Sequence, residues 1–156
     1  MLKTTIIAVG KLKERAFVEL EQEYLKRLRP YAKVKIIELP EVPYHKEKEA
    51  GVARRKEAEK IIKRLNPDAS ITVLDERGEL LSTAEFSRRL APFEATGREI
   101  IFIIGSSTGL DKEIKKRANW LLALSPLTFT HNFARVILEE QLYRALTLSA
   151  GKIYHK

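Results

Sequence analysis

The residues of this chain that could do chemistry gather in three short stretches, each placed directly after an apolar run. Gly105-Ser106-Ser107-Thr108-Gly109 follows Ile100–Ile104 and offers adaptable backbone and three hydroxyls. It lacks the lysine of a phosphate-clamping loop and the G-x-G-x-x-G spacing of a dinucleotide site, so its contents are unusual for a nucleotide pocket. A tight turn is the plain alternative. Leu124-Ser125-Pro126-Leu127-Thr128-Phe129 is mostly apolar although it should lie near solvent. Backbone amides and carbonyls flanked by Leu and Phe suit a flat heterocycle, with packing against a sheet as the competing explanation. Asp75-Glu76-Arg77-Gly78 ends a third run, Ile71–Leu74, with a turn signature in which most Asp residues only shape the backbone. With no Cys in 156 residues there is no thiol nucleophile, disulfide or Cys-based zinc site.

Elements able to position these stretches alternate along the chain. Leu2–Val9, Val34–Leu39, Ile71–Leu74, Ile100–Ile104 and Leu121–Leu124 read as strands. Ile100–Ile104 is apolar at every position and stops at Gly105, as expected of a strand buried on both faces of a parallel sheet. Helical spacing marks Glu14–Leu28, Lys46–Leu65, Thr83–Phe93, a short charged helix after Gly109, and about His131–Ser149. This alternation predicts a single α/β domain over residues 1–156, a mainly parallel sheet with helices on both faces. In such a sheet the turns after Leu74, Ile104 and Leu124 emerge on one edge and form one crevice.

The last helix is apolar on more than one side, at Phe133, Val136, Ile137, Leu138, Leu142, Leu146 and Leu148. Sheet on one side and a second copy of the chain on the other would cover it. Within it, Arg135/Glu139 and Glu140/Arg144 are opposite charges at i, i+4 and read as ordinary helix salt bridges. The tail Tyr154-His155-Lys156 follows a Gly stop and taken alone reads as a frayed end.

Lys and Arg number 29 against 21 Asp and Glu, a net charge of +8 that favours polyanionic partners. Arg54, Arg55, Lys56, Lys60, Lys63 and Arg64 could touch a phosphate backbone, although a charge run is more often a solvated face. The N-terminal apolar run is too short for a signal peptide, and no stretch approaches the length of a membrane span. The expectation is a cytoplasmic protein without a membrane or metal partner.

Taken together, IIAVGKLK, VLDERG, FIIG, LSPLTFTH, RVILEEQLYRA and the terminal YHK closely resemble the RlmH family. These are small stand-alone SPOUT methyltransferases that methylate N3 of a pseudouridine in large-subunit (23S) ribosomal RNA. The resemblance spans the whole chain. It implies a C-terminal trefoil knot, a homodimer acting on the ribosome, and S-adenosyl-L-methionine held by Leu74, Gly105 and the run Leu124, Ser125, Pro126, Leu127, Thr128 and Phe129. The chain departs from the family pattern at Ser106-Ser107-Thr108, where the family usually has a second Gly followed by Pro-Glu, and at Thr130-His131-Asn132, where Pro-His-Gln is common.

Methylation of a ring nitrogen mainly requires alignment of donor and acceptor and management of one proton. The resemblance therefore makes His155 the candidate for proton handling, because an imidazole titrates near neutrality. Tyr154 is the candidate to stack on or hydrogen-bond the base; Arg135, Arg144 and Lys156 are candidates to hold phosphate. Two other readings compete: a non-catalytic ribosome- or RNA-binding factor, and a methyltransferase for another RNA. Cofactor binding separates the first of these from an enzyme.

Overall fold

A computed structural model describes residues 1–152. Its five strands are β1 (Leu2–Val9), β2 (Ala32–Leu39), β3 (Ser70–Leu80), β4 (Ile100–Ile104) and β5 (Trp120–Ala123). They form one sheet in the order β2-β1-β4-β3-β5, and every neighbouring pair is parallel. The central β1 and β4 are buried almost throughout, which explains why their sequences show no polar alternation.

Parallel strands need crossovers, and five helices supply cover for the two faces: α1 (Arg15–Leu28), α2 (Ala50–Ile62), α3 (Thr83–Thr96), α4 (Lys112–Arg117) and α5 (His131–Ser149). On one face Leu28 of α1, Phe86 and Leu90 of α3, and Leu138, Leu142 and Leu146 of α5 close over Leu2, Ile6, Ile100 and Phe102. On the other, Ala58 and Ile61 of α2 and Ile114 of α4 pack on Ile7, Val73, Ile101 and Ile103. The α/β class and the parallel sheet with two helical layers are thus as the alternation requires. Helix starts are set by side-chain caps: Ser82 and Glu85 form a capping box on α3, and Thr130 Oγ1 accepts from the Phe133 amide on α5.

Two features depart from the sequence expectation. The strand expected to stop at Leu74 continues to Leu80, with a register break between Leu74 and Glu79. Gly78 makes this possible: a Cβ there would sit 2.6 Å from the Leu122 carbonyl carbon and 2.7 Å from the Ala123 nitrogen, so only glycine lets β3 pass so close to β5. Secondly, much of the apolar circumference of α5 is covered within the chain, while Phe133 stays 52% exposed. The helix lies between α1 and α3 with the sheet beneath, so Leu138, Leu142, Ala145 and Leu146 are buried without a second copy.

Candidate active site

Because all strands run the same way, the register break of β3 and the loops after β4 and β5 lie along one edge, and they enclose a cleft of about 1090 Å³. The β3 side contributes Leu74, Asp75, Glu76 and Arg77, and the β4 side the run from Ile104 to Lys112. Leu124, Ser125, Leu127, Thr128 and Phe129 come from the loop after β5, followed by Thr130, His131 and Ala134 at the start of α5. Of the residues singled out from the sequence as cofactor contacts, Pro126 alone is not in the lining; it is exposed on the same loop.

The loop after β4 is tightly built. A Cβ on Gly105 would come 2.8 Å from Leu110 Cγ and 2.9 Å from the Gly109 carbonyl carbon, so the loop returns on itself only with glycine at this position. Ser106 is buried, donates to Glu57 Oε2 at 3.0 Å and shares a 3.0 Å hydrogen bond with the Thr108 hydroxyl. Glu57, itself buried on α2, also accepts from the Val42 amide at 2.8 Å. Arg54 Nη1 donates to the Thr108 carbonyl at 3.3 Å. The Ser106-Ser107-Thr108 segment is thus tied to α2 by side chains.

The loop after β5 has the opposite character. Leu127 is 75% exposed and Phe129 41% exposed, unusual for large apolar side chains, and both face the cleft. Ser125 Oγ holds the Leu127 amide at 3.0 Å, while no partner among the described residues takes the amides of Thr128 and Phe129. Uncovered apolar side chains beside unused backbone donors fit an adenine ring, and the neighbouring hydroxyls and carboxylates fit the polar remainder of S-adenosylmethionine.

Four cleft residues have a geometry that the sequence left open: Asp75 read as a turn residue, Arg54 as part of a charge run, and Lys115 and His131 carried no assigned role. Asp75, its side chain 8% exposed, is ion-paired with Lys115 of α4 and accepts from the Arg77 amide at 2.9 Å. Burial pushes the Asp75 carboxyl up, but the Lys115 ammonium and the Arg77 amide outweigh it and hold the group below the usual carboxylate range. His131 Nε2 lies 3.7 Å from Glu41 Oε1 at the cleft wall. Arg54 closes the α2 side. Only the end-of-strand position of Asp75 was a usable signal; the others depend on which loops meet.

Arg135 and Arg144, the two arginines of α5 singled out from the sequence, lie in different surroundings. Arg135 is 2% exposed, is not in the cleft lining, and points into the seam between α1, α5 and β2. Its Nε is 2.5 Å from Glu21 Oε2, an ion pair whose N–H is not aimed along the contact, and its Nη1 donates to Glu38 Oε1 at 2.7 Å. Glu139, the expected i, i+4 partner, stands 3.8 Å away. The guanidinium is committed to the interior, because two carboxylates from other elements outcompete the intrahelical one. Glu139 is fully buried with neither oxygen hydrogen-bonded to a described group, and burial, reinforced by Glu21, pushes its carboxyl up to about 9. Arg144, by contrast, keeps the ordinary helix pair, with Nε 3.0 Å from Glu140 Oε1. Tyr154, His155 and Lys156 lie outside the described residues.

No group of three or more potential metal ligands occurs among the described residues, and no helix among them is long and apolar enough to cross a membrane.

Relatives of this chain are readily found. A methylase family protein of known structure from Neisseria gonorrhoeae superposes with a TM-score of 0.52 at 12% identity, covering 90% of this chain and 81% of its own, a likeness of fold. Ribosomal RNA large subunit methyltransferase H of Desulforamulus reducens is 42% identical over 160 residues, covering all of both chains. The protein of the same name from Caldicellulosiruptor saccharolyticus is 42% identical over 151 residues, 97% of this chain and 98% of its own. The family described as "Predicted SPOUT methyltransferase" matches residues 2–155. With near-complete matches of this kind, the chain belongs to the SPOUT methyltransferase family, among the ribosomal RNA large subunit methyltransferase H proteins.

Proposed function

We propose that this cleft binds S-adenosylmethionine and that the protein methylates N3 of a pseudouridine in 23S ribosomal RNA. The observation that carries the reading is the meeting of the β3 register break with the loops after β4 and β5 in one cleft, where exposed Leu127 and Phe129 stand beside amides that no described residue takes. Leu74, Gly105 and the run from Leu124 to Phe129 would hold the cofactor. When bound, it supplies an electrophilic methyl group on a sulfonium, already an excellent leaving group.

What remains for the chain is alignment and one proton. The apolar wall at Leu124, Leu127 and Phe129 orients the heterocycle and limits water. Asp75, held ionised by Lys115, keeps a fixed negative charge beside the cofactor loops. His155 takes the proton lost from the ring nitrogen, and Tyr154 positions the base. Lys156 and Arg144 hold phosphate. Arg135 is a positioning residue: its ion network fixes the first turns of α5, which present His131 and Ala134 to the cleft.

Family resemblance supports a homodimer, a knotted path around the cofactor loops, and delivery of the Tyr154-His155-Lys156 tail to the partner's cleft in the cytoplasm. A surface feature adds to the dimer reading. Phe133 of α5 is 52% exposed with its ring 4.8 Å from that of Phe17 on α1, and Leu20 nearby on α1 is 44% exposed, an apolar ridge suited to a second copy. The test is calorimetry with S-adenosylmethionine, followed by mapping of methylated nucleotides in ribosomes from cells with and without the protein. No binding at millimolar cofactor overturns the methyltransferase reading; methylation of an unrelated RNA overturns the substrate.

A further inference from the structure

The excess positive charge is not spread evenly over the two helical layers. In the layer of α1, α3 and α5, cations and carboxylates balance helix by helix: three against three, two against two, and two against two. In the other layer α2 carries four cations against two carboxylates, and α4 four against one. One of the α2 carboxylates, Glu57, is buried and occupied by Val42 and Ser106, so it does little to offset the surface charge.

The two basic helices pack on the same sheet face, with Ala58, Ile61 and Ile114 inward and Arg55, Lys56, Lys112, Lys116 and Arg117 exposed. Of these five, only Lys116 makes an ion pair within the described residues, an exposed one at 3.2 Å to Glu113. The field is continuous with the cleft, since Arg54 of α2 and Lys112 and Lys115 of α4 line it. The opposite layer balances its charges helix by helix, whereas here an unbalanced basic field adjoins the cleft.

We propose that the outer face of α2 and α4 is the docking surface for the phosphate backbone of the structured RNA substrate, gripping a segment that flanks the nucleotide entering the cleft. This rests on the RNA-methyltransferase reading and extends it to a surface outside the cleft. Phosphate contacts position without reading sequence, so the face sets affinity and register while the cleft selects the base.

The experiment replaces Arg55, Lys56, Lys116 and Arg117 with Gln together, all four outside the cleft lining, and compares this variant with Arg15, Lys26, Arg29 and Arg88 replaced by Gln on the balanced layer. Binding to purified large ribosomal subunits and to 23S RNA is measured against salt. The α2/α4 variant should show a log–log salt slope shallower by about 3, from four lost phosphate contacts at roughly 0.7–0.9 each, and a KM for subunits raised at least about tenfold with kcat retained. The control should match wild type. Equal affinity and slope in the α2/α4 variant and wild type overturn the proposal, as does an equal loss in the control. S-adenosylmethionine calorimetry on every protein separates the two readings: its failure in wild type removes the enzyme, while normal cofactor binding with unchanged RNA affinity removes only this surface. Should the fourfold variant melt early, RNA–protein crosslinking on the wild type decides, with crosslinks confined to the opposite layer overturning the proposal.

Discussion

Replacing Arg135 with Ala separates a structural from a catalytic role for a residue that the family motif makes conspicuous. The side chain is 3% exposed and bridges three elements, at 2.5 Å to Glu21 on α1 and 2.7 Å to Glu38 on β2, with Glu139 of its own helix 3.8 Å away. Truncation leaves Glu21, 15% exposed, as a carboxylate without its cation beside an already unpartnered Glu139. Glu38 is 29% exposed and is rehydrated at lower cost. Breaking a buried pair from one side costs about 3–5 kcal/mol. For a chain of this size each kcal/mol lowers Tm by roughly 2–4 °C, so the expected loss is about 6–20 °C. Arg135→Lys keeps the charge without the planar fork that spans Glu21 and Glu38, and should fall between. Thermal melts at neutral pH, paired with calorimetric cofactor binding below the lowered Tm, measure both effects. A Tm within about 2 °C of wild type, with methylation abolished, would show that Arg135 acts on substrate and that the network is incidental.

Glu139 has its folded pKa raised to about 9 from an ordinary 4.5, so the folded state keeps a proton that the unfolded chain releases. Its stability contribution is therefore fully present below about 4.5 and is lost as pH rises toward 9. Glu139→Gln should melt above wild type at pH 8.5 and close to it at pH 5; an identical pH dependence in both proteins would refute this. Gly105→Ala brings a Cβ within 2.8 Å of Leu110 and 2.9 Å of the Gly109 backbone, and is expected to weaken S-adenosylmethionine binding at least tenfold by calorimetry; wild-type affinity would mean the loop is not part of the site. Deleting Tyr154–Lys156 should leave cofactor affinity nearly intact while methylation of ribosomes falls by orders of magnitude, with His155→Ala alone costing roughly 10²–10⁴-fold. Near-normal turnover by the truncated protein would return the tail to a frayed end.

Sequence alone determined the layered α/β architecture and the edge on which to look for a site. Ile100–Ile104 has no polar position, and a strand of that kind is stable only between two helical layers, which forces parallel neighbours and puts their following loops together. It also marked Leu74, Gly105 and the Leu124–Phe129 loop, because a glycine stop and an apolar loop near solvent are local signals. Tertiary structure decided what depends on partners distant along the chain. Arg135 and Glu139 sit one helical turn apart, yet Glu21 and Glu38, brought by α1 and β2, take the guanidinium and leave Glu139 3.8 Å away with its carboxyl pushed up by burial. Asp75 looked like a turn residue until Lys115, 40 positions on, was folded against it. Likewise the apolar girth of α5 suggested a partner protein, and helices α1 and α3 met most of that demand, since burial is indifferent to whether the covering surface comes from the same chain or another.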